Sequence, residues 1–201
     1  MRKHFAFVAV MVTLTACGGA DDTPDDQAAF DTATPPAAVQ PDATTQMGDA
    51  EVAHVAVTAN TLDIEGGQLA KDKAENAEVK QFAERMITDH TSANNEANAL
   101  AQRVSLSPAD NQTSQQMKAD HERAKTELQS KSGAEFDRAY IQHEITMHQN
   151  VLNALDQTLI PNAQNAELKA LLQKIRPVIE NHLQTAQQIQ TRLGSASTTT
   201  R

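Results

Sequence analysis

From Asp49 to about Leu193, apolar residues return every three or four positions, the spacing of one face of an α-helix. The pattern predicts five helices. The first, about 49–74, carries Val52, Val55, Ala59, Leu62, Gly66 and Leu69. Its Gly66-Gly67 pair weakens a helix by up to ~1 kcal/mol per glycine relative to Ala, which points to a close approach of a neighbouring helix. The second, about 77–104, follows Asn76 as N-cap and carries Val79, Phe82, Met86, His90, Ala93 and Leu100. The third, about 108–130, opens on Ser107-Pro108, an N-cap with proline in the first turn. Its stripe (Met117, His121, Ala124, Leu128) is thin, so it should be the most exposed helix. The fourth, about 133–159, starts with Ser132-x-x-Glu135, a capping box, and Pro161 follows its end. The fifth, about 163–193, carries Leu168, Leu172, Ile175, Ile179, His182, Ala186 and Ile189, with Pro177 predicted to kink it. Short connections between amphipathic helices make neighbours antiparallel. The expected fold is an all-α, ferritin-like up-down bundle, with the third helix as return connection and the other four as core.

Composition supports this reading. Aromatics are 3% of the 201 residues, Trp is absent and no alternating strand pattern occurs, which argues against a β-sandwich or barrel. Seventeen Lys and Arg against 26 Asp and Glu give a net charge of −9, so no nucleic-acid partner is expected.

The first residues read as an export signal. Met1-Arg2-Lys3-His4 is basic, Phe5 to Thr13 is apolar and too short to span a bilayer, and Leu14-Thr15-Ala16-Cys17 resembles the lipobox of bacterial lipoproteins. The resemblance implies a signal peptide over 1–16, cleavage before Cys17 and lipidation of that residue. The membrane is then a partner through Cys17, and Gly18 after it favours the periplasmic face of the outer membrane. Cys17 is the only cysteine, so no intrachain disulfide can form. The following linker, to residue 48, holds six Asp, four Pro and no Lys or Arg, a composition that stays disordered. Residues 194–201 read as a flexible tail.

Chemistry enters where polar residues take core slots. His90 sits between Met86 and Ala93, and His182 between Ile179 and Ala186. On the fourth helix Asp137, Tyr140, Glu144 and His148 share a side with Met147, Val151 and Leu155. Glu65 flanks the stripe of the first helix. Glu65, His90, His148 and His182 each fall near the middle of their helix, so four helices can bring them to one interior level. Two solutions satisfy such a layer. One is a closed hydrogen-bond network, with Glu65, Asp137 or Glu144 holding imidazole tautomers and Tyr140 adding its hydroxyl. The other is a transition metal such as Zn, Fe or Cu. Half-exposed histidines with no joint role are a third reading. His54, His121 and His143 look peripheral.

The runs Ile64-Glu65-Gly66-Gly67-Gln68-Leu69-Ala70, Val79-Lys80-Gln81-Phe82-Ala83 through Asp89-His90, and Gly133 to Tyr140 with His148 and His182-Leu183 resemble the bacterial family called domain of unknown function 4142. The resemblance spans about 49–192. It implies exported or lipid-anchored proteins with a ferritin-like fold and no assigned activity, in which Glu65, His90, Asp137, Tyr140, His148 and His182 match recurrent polar positions. The chain lacks the pair of Glu-x-x-His motifs of di-iron bundles: only Glu51-x-x-His54 has that spacing, at the start of the first helix, and Glu144 and His148 are four apart. No catalytic residue is assigned. Two functions stay open. One is a non-catalytic envelope lipoprotein that binds an envelope protein partner or serves envelope or stress physiology. The other is a bundle that stores, buffers or senses a transition metal through Glu65, His90, His148 and His182, supported by Asp137, Tyr140 and Glu144.

Overall fold

A computed structural model describes residues 47–198. The expected signal peptide, Cys17, the expected linker up to residue 46 and residues 199–201 lie outside the described residues. The described chain is an all-α bundle of five helices: α1 (Asp49–Lys73), α2 (Ala77–Arg103), α3 (Gln112–Gln129), α4 (Gly133–Ala154) and α5 (Ala166–Thr198).

Contacts fix the directions. Asn60 meets Asn94 and Asp63 meets His90, so α1 and α2 run antiparallel. Glu78 with Arg192 and Arg103 with Glu167 do the same for α2 and α5. Gln142 with Gln190 and Asp156 with Arg176 do so for α4 and α5. α3 runs parallel to α1, from the Asn111–Glu51 contact to the Lys73–Leu128 contact. It carries the chain back along the outside of the bundle, so that α1, α2, α5 and α4 form the core.

Several helix ends differ from expectation. α3 starts at Gln112 rather than 108 because Asn111 makes the cap: its side chain accepts from the Ser114 N–H (3.0 Å), and Ser114 Oγ accepts from the Asn111 N–H (3.1 Å). The residues before it are tied elsewhere, with the Ala109 N–H donating to Ala50 O. Ser132 is the N-cap residue of α4 but makes no side-chain cap bond; Glu135 pairs with Lys131 at 2.9 Å instead. α4 does not stop before Pro161. It widens into a π-turn over Leu155–Leu159 and ends with Ile160–Asn162. A proline clashes with the carbonyl four residues back, and the widened turn accommodates it. α5 passes through Pro177 and reaches Thr198, beyond the 193 expected.

The apolar interior is split in two. One cluster gathers Val79, Phe82, Met86, Phe136, Tyr140 and Ile189 near the α1–α2 turn. The other gathers Val52, Val55, Leu100, Leu155, Leu172 and Ile179 toward the opposite end. Between them lies a polar layer at mid-height.

Helices α1 and α2 approach each other closely at Gly67. A Cβ there would stand 2.9 Å from Ile87 Cγ1 and 3.0 Å from Ala83 O, whereas one on Gly66 would meet nothing nearer than 3.6 Å. Gly67→Ala should therefore lower stability by about 1–2 kcal/mol despite its gain in helix propensity, while Gly66→Ala should be neutral or stabilising by up to ~1 kcal/mol. Urea unfolding of the two variants checks this; equal effects would contradict the close approach.

Candidate metal centre

The polar layer is built by one residue from α2, one from α4 and one from α5. His90, His148 and His182 are each no more than 2% exposed. Their ring centroids are 5.3, 5.5 and 5.9 Å apart. One ligand nitrogen of each lies within 4.8 Å of those of the other two.

In every ring one nitrogen is committed. His148 Nδ1 lies 2.9 Å from the Glu144 backbone oxygen, an acceptor only, so Nδ1 carries the hydrogen. His182 Nε2 lies 2.8 Å from Asp89 Oδ2 and donates to that carboxylate, which also accepts from Arg85. His90 Nδ1 lies 2.9 Å from Asn60 Oδ1. Asn60 is oriented by its amide, which donates to Asn94 Oδ1 (3.0 Å), so its oxygen faces His90 as acceptor. The remaining nitrogens, His90 Nε2, His148 Nε2 and His182 Nδ1, are lone-pair nitrogens in the interior, and none has a protein hydrogen-bond partner. Hydrogen bonds that fix one imidazole nitrogen and leave the other bare are how proteins orient metal-ligating histidines.

Carboxylates complete the layer. Asp63 on α1 is buried, with Oδ2 3.6 Å from His90 Nε2. Glu144 is buried beside it, and Asp63, Glu144 and His148 form a second set with donor atoms within 4.8 Å. Burial raises the titration of both carboxyls, and the neighbouring Asp63 raises Glu144 further. Burial acts oppositely on the imidazoles: His90 and His182 are each lowered to about 4, and His148 is lowered as well. All three are thus neutral ligands at physiological pH, with no proton to displace. A groove of about 340 Å³ between α2 and α5 has Asp89, His90 and His182 in its lining, while the rings themselves stay buried.

Two expected members stand elsewhere. Glu65 is not in the layer; its side chain is 43% exposed and faces α3, with Oε2 3.5 Å from His121 Nε2 and 3.5 Å from Lys125 Nζ. The helical turn that buries Asp63 points Glu65 outward. Asp137 is buried but holds the α1–α2 turn, accepting from the Glu75 and Asn76 N–H groups at 3.1 and 2.9 Å. Tyr140 stacks on Phe136 and meets Phe82 edge-on, with its hydroxyl beside Glu144. Glu144 orients His148 through its backbone carbonyl; its carboxylate Oε2 is 3.5 Å from Nδ1. The residues that hold the tautomers, Asn60 and Asp89, were not anticipated, nor was Asp63. His121, expected to be peripheral, is buried. The signal for Asp63 lay in its neighbours: Asn60, Asp63, Gly67, Ala70 and Ala74 recur at helical spacing as a face of small and polar residues.

The family profile described as "Domain of unknown function (DUF4142)" matches residues 34–189. Among solved structures, the chain is similar to a Streptomyces coelicolor protein described as a secreted protein of DUF305, with a TM-score of 0.62 and 12% identity over 73% of this chain and 93% of that one. At that identity the likeness shows the fold alone. No curated protein matches the chain.

A pH experiment follows from His90. The unfolded imidazole titrates near 6.5 and the folded one at about 4. The unfolded chain takes up the proton that the fold refuses, so this stabilisation is complete above pH ~6.5 and is lost as pH falls toward ~4. Between pH ~7 and pH ~4.5, His90→Gln should lose about 2–3 kcal/mol less stability than the metal-free parent. The carboxyls of Asp63 and Glu144 act in the opposite direction and are present in both chains. Parallel pH dependences in urea unfolding would contradict the assignment.

Proposed function

The chain belongs to the family described as Domain of unknown function (DUF4142), and on that premise we propose that its bundle is a non-catalytic, transition-metal-binding module of the bacterial cell envelope, with His90, His148, His182 and Asp63 as ligands. One observation carries this reading: three bare imidazole nitrogens, each fixed by a bond on the far side of its ring, converge with a carboxylate in a dry layer.

A self-contained hydrogen-bond network is the weaker account. Three buried atoms of the layer lack a protein partner, His90 Nε2, His148 Nε2 and His182 Nδ1, whereas Asp63, Glu144 and Tyr140 lie within reach of one another. Each such atom costs about 1–3 kcal/mol, against a usual total stability of about 5–15 kcal/mol. All three are acceptors, and one water supplies only two hydrogens. A cation answers all the lone pairs together. Imidazole with carboxylate suits Zn, Cu, Ni or Fe, and four protein donors make the closed tetrahedral set of binding rather than catalytic zinc. Metal–nitrogen bonds of about 2.0–2.1 Å put tetrahedral ligand atoms roughly 3.3 Å apart, so binding would draw together nitrogens that now lie within 4.8 Å of one another. Storage, buffering or sensing are the roles open to such a site.

Envelope location rests on the basic and apolar leader and on the lipobox-like Leu14 to Cys17, and the neighbour described as secreted supports it. No helix among the described residues is long and apolar enough to cross a membrane.

Elemental analysis and thermal melts of the full chain test the reading. One tightly held metal ion per chain is expected, with a rise of about 5–10 °C in Tm at a hundredfold excess of Zn²⁺ over Kd. His148→Ala should abolish both. Asp89→Asn, which touches no metal, should weaken affinity about 10–100-fold through His182. No stoichiometric metal and no metal-dependent Tm would reject the proposal.

A further inference from the structure

On the other flank of α1, a cleft of about 690 Å³ runs between α1, α3 and α4. His121 of α3 lines it. The residue is only 4% exposed, yet neither ring nitrogen has a protein hydrogen-bond partner. A buried imidazole with both nitrogens unanswered is costly and points to something outside the chain that answers them. Its Nε2 stands 3.5 Å from Glu65 Oε2. One donor atom each of Glu65, His121 and Glu122 lies within 4.8 Å of the others. We propose that Glu65, His121 and Glu122 form a second cation site beside the cleft, which takes a borderline divalent ion such as Zn²⁺.

A cation already stands near the carboxylates. Lys125 Nζ lies 3.5 Å from Glu65 Oε2 and 3.5 Å from Glu122 Oε1. Its ammonium marks the spot where positive charge is favoured and competes with a metal for it. The stem is flexible and one-third exposed, so it can swing clear. One imidazole nitrogen and two carboxylate oxygens suit a borderline ion, with the exposure of both carboxylates leaving room for water ligands. Two of the three ligands are exposed, Glu65 at 43% and Glu122 at 66%, so this site is weaker than the buried one. The two sites share no ligand, although His121 and Glu144 approach each other across Gly66.

Isothermal titration of the full chain with Zn²⁺ alone tests the proposal. The parent should show two binding events of different affinity. His121→Ala should remove the weaker one and leave the tighter. Lys125→Met, a change of similar volume at a partly exposed position, should tighten the weaker event roughly tenfold, because it removes the competing charge. A purely structural ion-pair cluster would show no gain. A weaker event that survives His121→Ala, or no weaker event in either the parent or Lys125→Met, overturns the site. His148→Ala separates the two readings: it should erase the tighter event only. A parent that shows just the His121-dependent event would keep this site while rejecting the interior one.

Discussion

Three imidazole lone pairs facing one another in a dry interior are mutually repulsive, and the rest of the site makes sense as the means of holding them there. Each ring is pinned from behind, His148 by a backbone carbonyl, His182 by Asp89 and His90 by Asn60. Those bonds fix the tautomers so that hydrogens point outward and electron pairs point in. Rotation of any ring would relieve the repulsion, and the pinning bonds oppose it. The cost is preorganisation for a cation. Desolvation keeps the rings neutral, so the same burial that makes the layer expensive makes it a ready ligand set.

The bundle supplies this layer by interrupting its own core. Two apolar clusters sit at the two ends, and each is closed by contacts between elements distant in sequence. Asp137 caps the α1–α2 turn at one end, and Asp49 accepts from the Gln164 and Asn165 N–H groups at the other. Apolar packing at both ends fixes the helix register, and the register sets which residues meet at mid-height. The Asp89-His90 dipeptide uses this economically, since Asp89 orients His182 while His90 faces inward. Gly67 lets α1 approach α2 closely, which brings Asp63 to His90.

Helix number, order and most boundaries were legible in the three-to-four spacing, because core burial imposes that period on every amphipathic helix. The ends that differed, at Asn111 and around Pro161, were decided by side-chain caps and a local π-turn, which periodicity does not encode. The histidine layer was legible from helix midpoints alone, since His90, His148 and His182 interrupt clear apolar stripes. The carboxylate was not. Glu65 and Asp63 both flank the stripe of α1, two residues apart, and the rotation of α1 about its axis decides between them. That rotation is set by the small face that packs against α2, so the residue among small neighbours turned inward and the long one turned toward α3. His121 seemed peripheral because α3 has a thin stripe, yet the cover it gives α1 and α4 buries the ring.

X-ray absorption at the metal edge of the Zn²⁺-loaded full chain, with His121 replaced by Ala so that only the interior is occupied, tests the central claim most directly. The account predicts a four-coordinate shell at about 2.0–2.1 Å with the multiple-scattering signature of three imidazoles and one oxygen donor. An oxygen-only, six-coordinate shell without imidazole scattering would contradict it.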